Sequence, residues 1–242
     1  MLDENGGGIL HDWDLAKGGR VAESLVSEDG FAHNPYRTGI WYFLSARLLI
    51  EPLKIHTLQD DLESFFYLVL YYALRYIPYN QGIEKLKELQ SQIFEECRWN
   101  STSGQYLGGE GKFFTITRGY HTLRINFVDH RPLQNWLRNT LGCIAEFYRY
   151  CIDTEQKHFE EHEGEPLPLH CVPVPPPPAS IGLHNHEYFS SLVKTALEAP
   201  GWASMRTYLG DDLDQYVRTR GRRRMSTLVL PRICGPPKRR LF

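Results

Sequence analysis

The chain has 242 residues, 42% hydrophobic and 13% aromatic, enough apolar material to bury a sizeable core as one domain or as a domain with a tail. Its formal net charge is −2, so no global field selects an anionic or a cationic partner. The five cysteines (Cys97, Cys143, Cys151, Cys171, Cys234) are odd in number, form no C-x-x-C pair and follow no signal peptide, which points to a reducing compartment and an intracellular protein, cytoplasmic or nuclear.

Residues 1–8 are polar with three consecutive glycines and read as a flexible lead-in. Residues 9–14 make a brief strand ending in a charged turn. Residues 17–36 are polar, with glycines at 18, 19 and 30 and no periodic apolar pattern, and read as a mobile loop. Ser24, Ser27, Tyr36 and Thr38 are candidate modification sites there, although loop serines commonly serve solvation alone. The stretch 56–76 organises the rest. Thr57, followed three residues later by Asp60, opens a helix whose first turn is acidic, and Arg75 with Pro78 closes it. Between them 65–74 carries no charge on any face, so the helix 58–75 is expected to be the most buried element. Ten uncharged residues fall well short of the roughly 20 that span a bilayer, so this is the central helix of a soluble domain.

Residues 81–97 place Ile83, Leu86, Leu89, Ile93 and Phe94 at helical spacing, an amphipathic helix on the core. Residues 100–111 read as a glycine-rich loop. A phosphate cradle ending at Gly111-Lys112 would need glycine at 106 and a hydroxyl residue at 113, and the chain has Tyr106 and Phe113. Residues 132–150 form a second long amphipathic helix. Composition then changes: 153–165 is acidic, and 166–178 holds seven prolines, a stiff connector not expected to join a packed core. His158, Glu161 and His162 match the zinc-peptidase spacing H-x-x-E-H, but no flanking apolar face would bury a metal, and a solvated acidic helix is the better reading. Residues 184–216 recover a helical pattern, split near Pro200-Gly201, that can fold back on the core. Residues 218–242 carry nine lysines and arginines and no acid, a solvated tail suited to nuclear import or to weak contacts with nucleic-acid phosphates.

Three segments carry a family likeness. Gly8-Ile9-Leu10-His11-Asp12-Trp13-Asp14-Leu15-Ala16 is similar to the metal-binding Asp-Phe-Gly segment of protein kinases. Arg37-Thr38-Gly39-Ile40-Trp41-Tyr42-Phe43-Leu44-Ser45 resembles the substrate-docking loop that ends a kinase activation segment. Asp61-Leu62-Glu63-Ser64-Phe65 looks like the start of the central helix of the C-terminal lobe in the casein-kinase branch. Order, spacing and wording together resemble the fungal-type protein kinase family over residues 8–150. The likeness implies a mainly α fold, a kinase-like C-terminal lobe at 9–150 built round a central buried helix, with the N-terminal lobe absent. A linker at 151–183, helices at 184–217 and a basic disordered tail at 218–242 would follow. It implies ATP and magnesium as cofactors, Asp12 as the ligand of that magnesium, and Thr38, Gly39 and Trp41 in the substrate-docking loop. Asp61 would clamp the catalytic-loop backbone. The chain departs from the family at Trp13 and Asp14, which replace phenylalanine and glycine, and at Ser45-Ala46-Arg47, which stands in place of Ala-Pro-Glu. Glu51 is a candidate substitute for that missing glutamate.

The glycine-rich lid, the strand lysine with its helix glutamate, and the catalytic loop precede the Asp-Phe-Gly segment in a kinase, and only eleven residues precede Asp12. Two readings compete. In one the chain is part of a serine/threonine kinase, inactive alone, that acts on a protein substrate. In the other it is a non-catalytic pseudokinase-like module that binds a partner protein and carries a basic nuclear-targeting tail. Neither involves a membrane, and nucleic acid enters only weakly through the tail.

Overall fold

The computed structural model describes residues 40–163, apart from Pro52, Ser103 and Val128, and residues 174–202. Asp12, Thr38 and Gly39, the loop 17–36 with its candidate modification sites, and the basic tail all lie outside the described residues. Among the described residues the fold is mainly helical. Its elements are α1 (Ala46–Ile50), α2 (Leu58–Tyr76), α3 (Ile83–Leu89), a π-helical turn (Gln90–Phe94), β1 (Arg98–Asn100), β2 (Gln105–Leu107), α4 (Glu110–Arg118), a 3-10 turn (Tyr120–Leu123), α5 (Arg131–Glu161) and α6 (His186–Glu198). The two strands form an antiparallel hairpin in which Trp99 faces Tyr106. No described helix is long and apolar enough to cross a membrane.

Helix α2 starts where its capping residues dictate. Asp60 accepts from the Thr57 backbone N–H and hydroxyl, both at 2.8 Å, which ties down the helix entrance. It then runs through the core against α5 and α6, burying Phe66, Tyr67, Leu70 and Leu74 completely. One face stays open, however. Leu58, Phe65, Tyr72 and Tyr76 are each 40–50% exposed and share that face, so burial on every side, as the uncharged run implied, does not hold. Apolar composition all round shows that a helix tolerates burial; how many neighbours surround it is set by the rest of the chain.

Helix α5 does not stop at 150. It continues through the acidic residues to Glu161, with Cys151 as its last buried position. The proline connector also differs from expectation in its described part. Val174 and Ile181 pack against the core and Leu183 is fully buried. Proline carbonyls in an extended chain need donors from elsewhere, and the Tyr150 hydroxyl approaches those of Pro175 and Pro176 at 3.3 and 3.4 Å. Gln59 of α2 likewise donates to the Leu183 carbonyl at 2.9 Å. Helix α6 then folds back as its pattern suggested, with Phe189 edge-on to Phe65 and Trp136.

The glycine run 108–111 is a packing device. A Cβ on Gly111 would stand 2.0 Å from the Gln92 carbonyl oxygen, and one on Gly108 would stand 2.3 Å from that of Glu96. Gly109 adopts φ 85° at the start of α4. Bare backbone there lets α4 lie directly on the π-helical turn.

Candidate functional site

Segment 40–51 meets the start of α2 in a buried polar junction. Ser45 caps α1 by accepting from the Leu48 N–H, and its hydroxyl donates to Asp60 Oδ1 at 2.6 Å. The Ala46 N–H donates to Glu63 Oε1 at 2.8 Å. Tyr148, from α5, donates its hydroxyl to Glu63 Oε2 at 2.8 Å and accepts from the Arg47 N–H at 3.2 Å. Lys54 closes the cluster with an ion pair to Asp60. Asp60 and Glu63 lie three residues apart on one face of α2, so a single helical turn holds both ends of the Ser45-Ala46 bend.

A second anchor comes from α4. Lys112 is fully buried and donates to the carbonyls of Tyr42 at 2.8 Å and Leu44 at 2.5 Å, with its ammonium 4.2 Å from the Tyr67 ring centroid. Burial pushes the Glu63 carboxyl up to about 7, against the hydrogen bonds from Ala46 and Tyr148 that favour its charged form. Burial likewise pulls Lys112 down to about 7, opposed by the charges of Glu63 and Glu96. Tyr148 and Tyr67 are raised, first by burial and then by Glu63.

Arg47 is the third anchor. It is 6% exposed and pairs with Glu51 at 2.8 Å, one turn along, and with Glu155 of α5. Burial disfavours its charge, but the hydrogen bond and charge of Glu51, with Glu155, outweigh it and hold the guanidinium above its ordinary pKa. Glu51, the candidate substitute for the missing glutamate, therefore does bind a buried arginine, though one in its own segment.

The other expected residues are distributed differently. The Trp41 indole donates to the Glu96 carbonyl at 3.1 Å and packs on Leu44, Leu48 and Leu49, so this residue, expected in a docking loop, is engaged in the fold. Asp61 is exposed and pairs with His56 at 2.8 Å, which raises the imidazole pKa through that hydrogen bond. It borders an apolar groove between α2 and α6 lined by Leu62, Phe65, Phe189, Val193 and Leu197. The phosphate-cradle test on the glycine run fails in space as well. The Gly111 N–H at the α4 N-terminus already donates to the Glu96 carboxylate at 2.9 Å. His158 sits in the last turn of α5 and is half-buried, and His162 caps the helix, with ring centroids 4.2 Å apart. Among the described residues no three His, Cys, Asp or Glu side chains are grouped to hold a metal.

Sequence reasoning missed Glu63, Lys112 and Tyr148. The acidic start of a buried helix was the one signal for Glu63. Lys112 followed what looked like a loop, and Tyr148 was one aromatic among many on an amphipathic helix. Comparison with models of known protein families, with curated proteins and with solved structures found no match.

Proposed function

We propose that these 242 residues are the C-terminal-lobe portion of a fungal-type protein kinase, a serine/threonine family that moves the terminal phosphoryl group of ATP to protein hydroxyls, and that the chain alone has no phosphotransferase activity. The observation that supports the reading is the clamp on segment 40–51. A substrate-docking loop works by holding a short stretch of backbone in one place beside the central helix. Here Ser45 and Ala46 bind Asp60 and Glu63, Lys112 holds the carbonyls of Tyr42 and Leu44, and Arg47 is locked to α5. Asp61 keeps an exposed carboxylate at the first turn of α2, where the family's catalytic loop would need an acceptor for its amide protons. The magnesium expected at Asp12 has no counterpart among the described residues to fit it against, and no step is derived through it. Thr38 and Gly39 would extend the docking loop.

The alternative, a non-catalytic interaction module, draws its support from the open apolar face of α2, which suits a partner's surface. Under the kinase reading the same face is where the rest of the lobe packs. Purified chain incubated with labelled ATP, magnesium and a generic protein substrate should show no turnover, and fusion to a kinase N-terminal lobe with its catalytic loop should give turnover that Asp12→Ala abolishes. Asp12-dependent turnover by the chain alone would overturn its assigned inactivity. A folded fusion without activity would favour the module.

A further inference from the structure

Beyond Cys151, helix α5 carries a surface with no evident counterpart in the core. Ile152 and Phe159 are 41% and 45% exposed on one face, and with Glu155, Gln156, Glu160 and Glu163 they line a shallow groove of about 560 Å³. Residues 153–163 contain Asp153, Glu155, Glu160, Glu161 and Glu163 against the single lysine Lys157. Glu155 is taken up by Arg47, but among the described residues no cation pairs with Asp153, Glu160, Glu161 or Glu163. Glu160 and Glu161 also sit in the last turn of the helix, where the backbone carbonyls already present partial negative charge. Repulsion of this kind is relieved by cations, and apolar side chains beside it favour a ligand that also carries apolar residues.

We propose that the basic segment 218–240 of this same chain docks on that acidic face of α5. It carries nine cations and no acid, interleaved with Met225, Leu228, Val229, Leu230 and Ile233, so it matches the groove in both charge and apolar content. The length of intervening chain fits. Gly201 lies against Pro132, at the N-terminal end of α5. From Pro132 to Phe159 the helix rises roughly 40 Å at 1.5 Å per residue. A helix over 202–217, as the pattern there suggests, would span roughly 24 Å at 1.5 Å per residue, and the first five residues of the tail, at up to about 3.3 Å each, would cover the remaining distance to the far end. Tethering makes the encounter intramolecular, so weak ionic contacts suffice at low salt. While docked, the tail is withheld from phosphate backbones and from import receptors.

The test compares the full chain with a full-chain E160Q/E161Q/E163Q variant, using the rate of trypsin cleavage after the tail arginines, followed by intact mass, with circular dichroism to verify folding. In low salt the tail of the unaltered chain should be cut about three-fold more slowly than that of the variant, and the two rates should converge near 0.5 M salt, where charges are screened beyond a few ångström. A control with the exposed α3 acids neutralised, E84Q/E88Q, should behave as the unaltered chain. Equal cleavage rates at low salt would overturn the proposal, as would protection that grows with protein concentration, which would assign the contact to a second copy.

Discussion

The sharpest test of the polar junction is Tyr148→Phe, which removes one oxygen and leaves the ring on Phe113 and Phe147. That oxygen has two buried partners, Glu63 Oε2 at 2.8 Å and the Arg47 N–H at 3.2 Å. Each buried group left without its partner costs about 1–3 kcal/mol, so with two such groups the substitution should destabilise the fold by about 3 kcal/mol. For a chain of this length that is a fall of about 10 °C in melting temperature. Urea unfolding followed by tryptophan fluorescence should show a lower midpoint at unchanged slope. Amide exchange at Ala46 and Arg47 should accelerate more than in the core of α2. The matched control is Tyr150→Phe, whose hydroxyl makes two long, exposed bonds to Pro175 and Pro176 and should cost less than about 1 kcal/mol. If the two variants were equally stable, Tyr148 would be an ordinary packing residue and the argument for a clamped segment would lose its central bond.

Gly111→Ala places a methyl 2.0 Å from a backbone oxygen and should cost about 1–3 kcal/mol or more in urea unfolding, whereas Gly82→Ala, with nothing within 4 Å, should be near neutral. Glu63, raised from 4.5 to about 7, holds a proton in the folded state that the unfolded chain has released, so its contribution is full below 4.5 and lost as pH rises through about 7. Lys112, lowered from 10.5 to about 7, acts the other way, adding stability from about 7 upward, so unfolding measured against pH should show Glu63→Gln losing the acid-side fall and keeping the alkaline-side rise. Phe66→Ala should cost about 3–5 kcal/mol in thermal unfolding and Phe65→Ala much less, because Phe66 is fully buried and Phe65 is 41% exposed. Arg47→Glu brings a third carboxylate to Glu51 and Glu155 and should destabilise the fold by about 3–5 kcal/mol, with Arg47→Glu/Glu155→Arg recovering part of the loss in a double-mutant cycle.

Much of the helical framework was legible because helix ends are chemically marked. Thr57 with Asp60 and Arg75 before Pro78 bounded α2 to within a residue. The end of α5 was misplaced because the acidic stretch, although read as a solvated helix at 158–162, was assigned to a linker beginning at 151 and not to the same helix. A helix needs apolar residues only where it touches a neighbour, and its hydrogen bonds continue into solvent regardless, so composition changed at 151–161 while the backbone did not. The π-helical turn left no periodic trace, because its residues 90–94 fit the same apolar spacing as the helix before it. The polar junction was the least legible part. Hydrogen bonds between Ala46 and Glu63, or Arg47 and Tyr148, join residues 17 and 101 positions apart, and no local spacing encodes that distance.

Helix α2 thus presents two surfaces that follow from its 3.6-residue turn. On one side Asp60 and Glu63 point into the buried junction, and Phe66, Tyr67, Leu70 and Leu74 continue the same arc into the core. On the other Asp61, Phe65, Tyr72 and Tyr76 recur at spacings of three to four or seven and form an open stripe. The first surface fixes where segment 40–51 sits and is complete within the described residues. The second joins an exposed carboxylate at the helix start to a run of aromatic rings, which suits a cover that supplies backbone amides at one end and apolar side chains along the rest. An upstream kinase loop and helix, or the surface of a separate partner, would meet that description in different ways. Only the former brings catalytic groups to Asp61, so restoration of phosphoryl transfer distinguishes the two readings and binding to the stripe alone does not.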